Sequence, residues 1–552
     1  MEEKKFDPYQ FIGFILIALI LTWMLYRNGP AEAEPESTTT EQTVPESNTT
    51  VAAPIQNDSI VQQQKVAAYG DLGSLFVSSE LAPVNLETEQ MTIVLNPKGG
   101  QISKLTLNAF ENYEDQPLPL INEGNTDFNI QLNTLDGRVL NTRDMFFNPI
   151  VRDGEEAIQV EMRAALNLQQ YISFLYSKTK NGHMLSFSVK TEGMSSLLNT
   201  SVAPELYWKT DVFRNSRSID YENRYTEFTF GYEDDRVDYL SLSGDDEETR
   251  QDLRWISYRQ HFFSAIMIPD QPIDEAKITS TDLSGEASLN ERFTKSFTTT
   301  YALNSGGELN SNLKFYYGPT DYKALKKLEG DLETSIPMGW GIFGWINRMI
   351  FLPLFEFLSS FLSYGIAIIV MTIIVRLAMS PVTYKSYVSQ IKMKVLRPDI
   401  EQINNKYKDD AVKRQQETMS LYSRAGANPM SGCIPALLQL PVFYALFSFF
   451  PVAFVLRDKS FLWADDLSSY DSILDLGFNI PFYGDHVSLF PILASVAIFF
   501  YTRMTTGQQP MPQQPGMPNM KIIIYLMPLM MLFFFNNYAS GLSLYYFVSN
   551  LL

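Results

Sequence analysis

The chain has 552 residues, a formal net charge of −19, one cysteine and three histidines. An acidic balance of that size excludes general nucleic-acid binding, DNA included, which needs a basic surface. Cys433 alone excludes an intrachain disulfide, and His183, His261 and His486 are too scattered to mark a metal site.

A mean hydropathy of −0.09 averages two unlike parts. Residues 65–335 are polar, acidic and patterned in twos, whereas residues 351–552 are crowded with Phe, Leu, Ile, Met and Pro. Ahead of both, FIGFILIALILTWMLY (11–26) reads as a membrane span closed by interfacial Trp23 and Tyr26. A signal peptide cleaved near Ala31 or Ala33 is the alternative. The span's length and terminal aromatics favour an uncleaved anchor over residues 1–29. Residues 30–65 are Pro, Glu, Ser and Thr with almost no large apolar group and read as a disordered tether.

Residues 66–334 predict an antiparallel β domain built as a large sandwich. In HMLSFSVKT, Leu185, Phe187 and Val189 share one face; in TEFTFGY, Phe228, Phe230 and Tyr232 do. No catalytic set emerges, and His183 and His261 read as structural. Residues 335–352, with Trp340, Phe343 and Trp345 and few charges, predict an amphipathic helix on the membrane surface.

The remainder, 353–552, predicts spans at about 357–379, 433–456, 487–501, 522–535 and 541–552. Residues 383–430 hold nine Lys/Arg against five Asp/Glu, and residues 457–486 hold two against six. The loop 503–521 is basic without an acid. The alternation puts the acidic β domain outside and the N-terminus in the cytoplasm. Within 383–430 the apolar positions Tyr384, Val388, Ile391, Val395, Ile400 and Ile403, then Val412, Met419 and Tyr422, predict two antiparallel helices joined at Lys408-Asp409-Asp410. Each stripe would cover the other in a cytoplasmic hairpin.

Arg376 stands inside GIAIIVMTIIVRLAMSP (365–381). An ionisable group in a span costs roughly 3 kcal/mol even on the lenient insertion scale, so it is a functional candidate by default. Snorkelling to the nearby interface is the bland alternative, since Pro381, Thr383, Lys385 and Ser386 follow closely. Gln439 joins it on the ground that an amide within a span prefers the bundle interior.

At IIVRLAMSPVTYKS (373–386), LYSRAGANPMSGCIPALLQLPVFYALF (421–447), FLWADDLS (461–468) and YASGLSLYYFVSN (538–550) the chain resembles the YidC family of membrane protein insertases. WISYRQHFFSAIMIP (255–269) is similar to a segment of the periplasmic domain of its Gram-negative members. The resemblance implies a multi-domain membrane protein of the bacterial inner membrane. It would have an N-terminal anchor span, a helical bundle of five core spans, a large all-β super-sandwich-like periplasmic domain and a cytoplasmic hairpin. It also implies a hydrophilic groove, open to cytoplasm and lipid and closed outward, whose arginine matches Arg376. Thr372 and Tyr545 or Tyr546 match its other polar positions. The family's last span continues further than 541–552, which is too short to cross a ~30 Å core by itself; the expectation is a truncated record or a lost tail.

The implied clients are nascent membrane proteins, handled with the lipid bilayer, with the ribosome at the hairpin and basic loops, and alone or beside the Sec translocon. No cofactor, metal or enzymatic activity is implied, and GxxxxGK[ST] is absent. Two rival readings stay open at this point. One is an anion transporter or channel built on Arg376. The other is a membrane enzyme with Cys433 as nucleophile, for which no span supplies an activating histidine.

Overall fold

The computed structural model describes residues 68–552, apart from 78–80, 123, 234–235, 287–288, 290, 304–306, 409, 428–433, 482 and 507–519. The span expected at 11–26, the tether expected at 30–65 and Cys433 lie outside the described residues.

Period-two patterning produces two antiparallel sheets. Val84–Glu87, Met91–Leu95, Ile102–Glu111 and Pro117–Ile121 form a four-stranded meander. Fourteen strands, from Thr126–Asn133 to Asn310–Pro319, form the second sheet. A sheet that large must curl or split to bury its apolar face. Asp246–Arg259 is the strand that changes partners: its first half pairs with Ile273–Asp282, its second with Glu227–Tyr232 and Phe263–Pro269. The exchange falls at Asp252, whose φ of 54° breaks the extended run. Met91, Ile93, Phe187, Trp208 and Phe297 then share one core drawn from both sheets.

Leu185, Phe187 and Val189 are buried as the alternation predicts. Glu227–Tyr232 departs from it, because Glu227 and Thr229 on the opposite face are buried as well. Glu227 there forms an ion pair with Arg259, the two side chains 6% and 2% exposed. Buried Lys178 donates to the Gly182 carbonyl at 2.9 Å, and buried Lys295 to that of Leu242 at 2.7 Å. Among the described residues each buried Lys, Arg or Glu of this domain has a partner, as desolvation requires.

Beyond the β domain the chain is helical. Gly341–Ile346, a π turn at Asn347–Phe351 and Leu352–Ser359 form one continuous segment. Asn347 anchors it by donating to the carbonyls of Met338 and Ala445, each at 2.7 Å. Trp340, Ile342, Trp345 and Met349 are exposed along it. The segment outruns the helix expected at 335–352, so the span expected from 357 begins instead at Tyr364. The stop has a local cause: the hydroxyls of Ser359 and Ser360 donate to the carbonyls of Glu356 and Phe357, and Ser363 is extended.

We label the helices that follow α1 (Tyr364–Val395), α2 (Arg397–Lys406), α3 (Ala411–Arg424), α4 (Ile434–Phe449), α5 (Leu489–Thr506), α6 (Met520–Phe535) and α7 (Ser540–Leu551). With 32 residues α1 is about 48 Å long, so it outreaches a ~30 Å hydrocarbon core. Pro381 does not end it; Thr383 donates to the Met379 and Ser380 carbonyls beside the missing bond. The first arm of the expected hairpin is therefore corrected. Residues 383–395 continue the span, and the two separate helices are α2 and α3, joined by residues 407–410. Tyr384, Ile391, Val395, Val412 and Met419 stay exposed; helix in line with α1 cannot fold back to cover them.

The loop after α4 meets the β domain. His261 Nε2 lies 2.6 Å from the Pro451 carbonyl, Tyr221 donates to the Ser468 carbonyl at 2.9 Å, and Arg457 to the Glu111 carbonyl at 2.6 Å. Burial pushes the Glu222 carboxyl up to about 7 although Asn215 and Ser216 amides donate to it at 2.7 and 2.8 Å. Burial likewise raises Asp466 to about 6 and lowers His261 to about 3. Residues 451–488 thus lie at the β-domain end of the bundle.

Candidate functional site

Arg376 sits twelve residues into α1, about 18 Å from its β-domain end. That is deeper than half of a ~30 Å core. Its side chain is half-buried, and its Nε is buried without a hydrogen-bond partner. No Asp or Glu occurs in α1, α4, α5, α6 or α7. The charge therefore has no carboxylate to pair with in the spans around it.

The surroundings are polar by placement. On α7, Tyr545 and Tyr546 are buried with unpartnered hydroxyls. Tyr546 is wedged between Phe443 of α4 and Phe535 of α6, ring centroids 5.4 and 5.3 Å away. Gln439 of α4 is half-buried and has neither amide atom satisfied. It lies beside Tyr545, as does Ser549 one turn further along α7. The Arg376 charge acts on the hydroxyls of Tyr545, Tyr546 and, from α5, Tyr501, which itself neighbours Tyr387 of α1. Four helices contribute to one cluster. Buried polar atoms without partners each cost about 1–3 kcal/mol, which makes such a cluster the least self-sufficient part of the bundle.

Of the residues expected at the site, Arg376, Gln439, Tyr545 and Tyr546 come together here. Thr372 is also buried, but its hydroxyl donates to the Ile368 carbonyl of its own helix at 2.7 Å. Sequence reasoning missed Tyr501 and Ser549. Ser549 follows Tyr545 by four residues, a same-face spacing that could have found it; Tyr501 carries no such signal. Toward the β-domain end the cluster gives way to fully buried Phe449, Phe450, Leu467 and Leu542.

A family model described as 60Kd inner membrane protein matches residues 355–552, and one described as YidC periplasmic domain matches residues 83–353. The chain is similar to the membrane protein insertase YidC of Parabacteroides distasonis, 37% identical over 587 residues, covering 99% of this chain and 90% of the relative. It is similar to the YidC insertase of Phocaeicola vulgatus at 35% identity, with coverage of 99% and 90%. A crystal structure of an active YidC insertase with its first transmembrane domain resolved matches 89% of this chain and 97% of that one, at 19% identity and a TM-score of 0.33.

Proposed function

This chain belongs to the YidC family of membrane protein insertases and is a membrane protein insertase with a large all-β periplasmic domain; on that premise we propose that Arg376, Gln439, Tyr545 and Tyr546 line the groove that receives a client's translocated segment. Thr372 supports the groove from within α1. The observation that carries the reading is a guanidinium deep in a span, with its Nε unpartnered and no acid in the surrounding helices.

A fixed positive charge in a low-dielectric cavity attracts acidic and polar groups of a client far more strongly than water would let it. The amide and hydroxyls beside it supply hydrogen bonds that replace part of the client's hydration. Its apolar helix then leaves sideways into lipid, and that partitioning drives insertion, with the membrane potential acting on the tail. The packed Phe449, Phe450, Leu467 and Leu542 support a groove closed toward the periplasm, and speak against a through-path for anions.

In this reading the protein lies in the inner membrane with its N-terminus in the cytoplasm. α1, α4, α5, α6 and α7 are the five core spans, and the helix around 341–352 rests on the outer surface. α2 and α3 with their basic flanks face the ribosome, and the Sec translocon is a lateral partner. Clients are nascent membrane proteins.

The test is insertion of a small client into proteoliposomes, with either an acidic or a neutral translocated tail. Arg376→Ala should lower insertion of the acidic client at least about tenfold, or ~1.4 kcal/mol, and of the neutral one much less. Arg376→Lys should retain most activity. Equal loss for both clients would sink the attraction model, and solute flux through the same vesicles would favour a channel.

A further inference from the structure

Between α4 and α5 the chain forms an antiparallel hairpin in which Ser472–Ile480 pairs with Gly484–Ser488. The groove makes no use of it. Its base is rigidly held. Buried Asn536, between α6 and α7, donates to the carbonyls of Tyr483 and His486 at 2.8 and 2.9 Å and accepts from the Ser488 amide at 3.0 Å. His486 stacks on Tyr470 with centroids 3.8 Å apart. At the entrance, Asp471 Oδ2 accepts from the amides of Leu489 and Phe490 at 3.0 and 2.8 Å, which caps α5. The hairpin is thus fixed at the level where α5 begins and α6 ends.

Its first strand is nonetheless exposed and apolar: Ile473, Leu474 and Phe478 are 49%, 58% and 62% accessible. In water, an open strand edge carrying such side chains invites aggregation. Their surroundings indicate the cover. Among its described residues α6 exposes Leu526, Met527, Leu529, Met530 and Phe533, with Tyr525 as the one hydroxyl beside them and no charge, a stripe which in a membrane protein faces lipid. Tyr483 of the hairpin packs edge-on against Phe533, centroids 5.2 Å apart. The lipid-facing stripe therefore continues across Phe533 and Tyr483 onto the hairpin. Asp475 and Asp485, and the unpaired outer edge of the strand, bar the hairpin from the hydrocarbon core itself.

We propose that residues 472–488 form an outer-leaflet anchor, with Ile473, Leu474 and Phe478 seated at the boundary between headgroups and acyl chains. It would fix the depth of α5 and α6, and with them the level of the polar cluster. The inference rests on the bundle lying in a bilayer and not on the role of Arg376.

The experiment uses the full chain with Cys433→Ser and Phe478→Cys, labelled with an environment-sensitive fluorophore. The protein is reconstituted in vesicles of phosphatidylcholine and phosphatidylglycerol. A side chain seated about 5–10 Å into the interface should lose at least about half its emission to a nitroxide on the upper acyl chain and little to aqueous iodide. Leu168→Cys in the β domain, where Leu168 is almost fully exposed, should show the reverse. Ile473→Cys repeats the measurement should the first variant fold poorly. Iodide quenching without nitroxide quenching at both positions would overturn the proposal. So would shielding that arises only when a client is added, which would make the hairpin a client surface.

Discussion

The β domain and the helical bundle hold charge among apolar groups in different ways. In the β domain Arg259 meets Glu227, Lys178 and Lys295 are capped by carbonyls, and the Tyr258 hydroxyl donates to the Trp208 carbonyl at 2.8 Å beside Thr299. In the bundle Arg376, Gln439, Tyr545 and Tyr546 keep buried polar atoms with no partner. Burial is comparable for the tyrosines, so solvent access does not explain the difference. The β domain also holds buried polar atoms without a partner, Thr229 Oγ1, Ser257 Oγ and Arg259 Nε among them, but its buried guanidinium has a carboxylate within the fold. Arg376 has no carboxylate in the helices around it, the arrangement that the proposed groove for a transient client requires.

The largest effect should come from unpairing the β domain. Glu227→Ala leaves the Arg259 guanidinium buried and uncompensated, which costs about 3–5 kcal/mol. Denaturant unfolding followed by tryptophan fluorescence measures it. A loss below about 1 kcal/mol would mean the pair is not what holds that charge, and the contrast with Arg376 would collapse.

Next in size is a pH effect where the two regions join. Glu222 titrates at about 7 in the fold against 4.5 ordinarily, because burial disfavours its charge. The folded state binds more protons than the unfolded one between those values, so this term stabilises fully below about pH 4.5 and is lost as pH rises toward 7. The span corresponds to roughly 3 kcal/mol as an upper bound. Asp466 acts in the same direction between 3.8 and about 6. His261, held down to about 3, opposes both: it loses stability as pH falls from 6.5. Glu222→Gln should remove most of the decline in melting temperature between pH 5 and 7. An unchanged slope in that variant means Glu222 is not its source.

A matched pair of tyrosines sharpens the comparison at smaller cost. Tyr258→Phe removes a buried hydroxyl that bonds the Trp208 carbonyl and the Thr299 hydroxyl, and should destabilise by about 1–2 kcal/mol. Tyr545→Phe removes a hydroxyl that has no partner, so stability should stay level or rise while insertion of polar-tailed clients falls. Thermal melts of both variants alongside an insertion assay decide it. Destabilisation by Tyr545→Phe equal to that of Tyr258→Phe would make the bundle's polar cluster an ordinary part of its core.

Much of this was legible in the sequence, and the rest was not for identifiable reasons. Strict alternation exposed strands such as Met184–Glu192, because one buried face is all that a period of two encodes. Arg376 and Gln439 stood out as polar residues in apolar runs, whereas Thr372, Tyr545 and Tyr546 came from the family resemblance. The end of α1 was misjudged because Pro381 signals a break, yet the helix runs through it to Val395. Tyr501 closes the expected span 487–501 without any signal of its own, and only helix packing brings it to Arg376. The hairpin was invisible inside an acidic loop. Its register depends on Asn536, 48 residues beyond Ser488, and no local pattern announces so distant a partner.

The smallest predicted effect tests whether contacts between the two regions matter simply by existing. Arg217 and Asp465 bridge the β domain to the loop after α4 at 3.3 Å, but both side chains are largely exposed. Solvent screening and the entropy of two long side chains leave such a pair worth below about 0.5 kcal/mol. Arg217→Ala should therefore shift neither melting temperature nor insertion measurably at physiological salt. A change comparable to that of Glu222→Gln would show that surface charge, and not the buried groups Glu222 and His261, sets how the β domain holds the bundle.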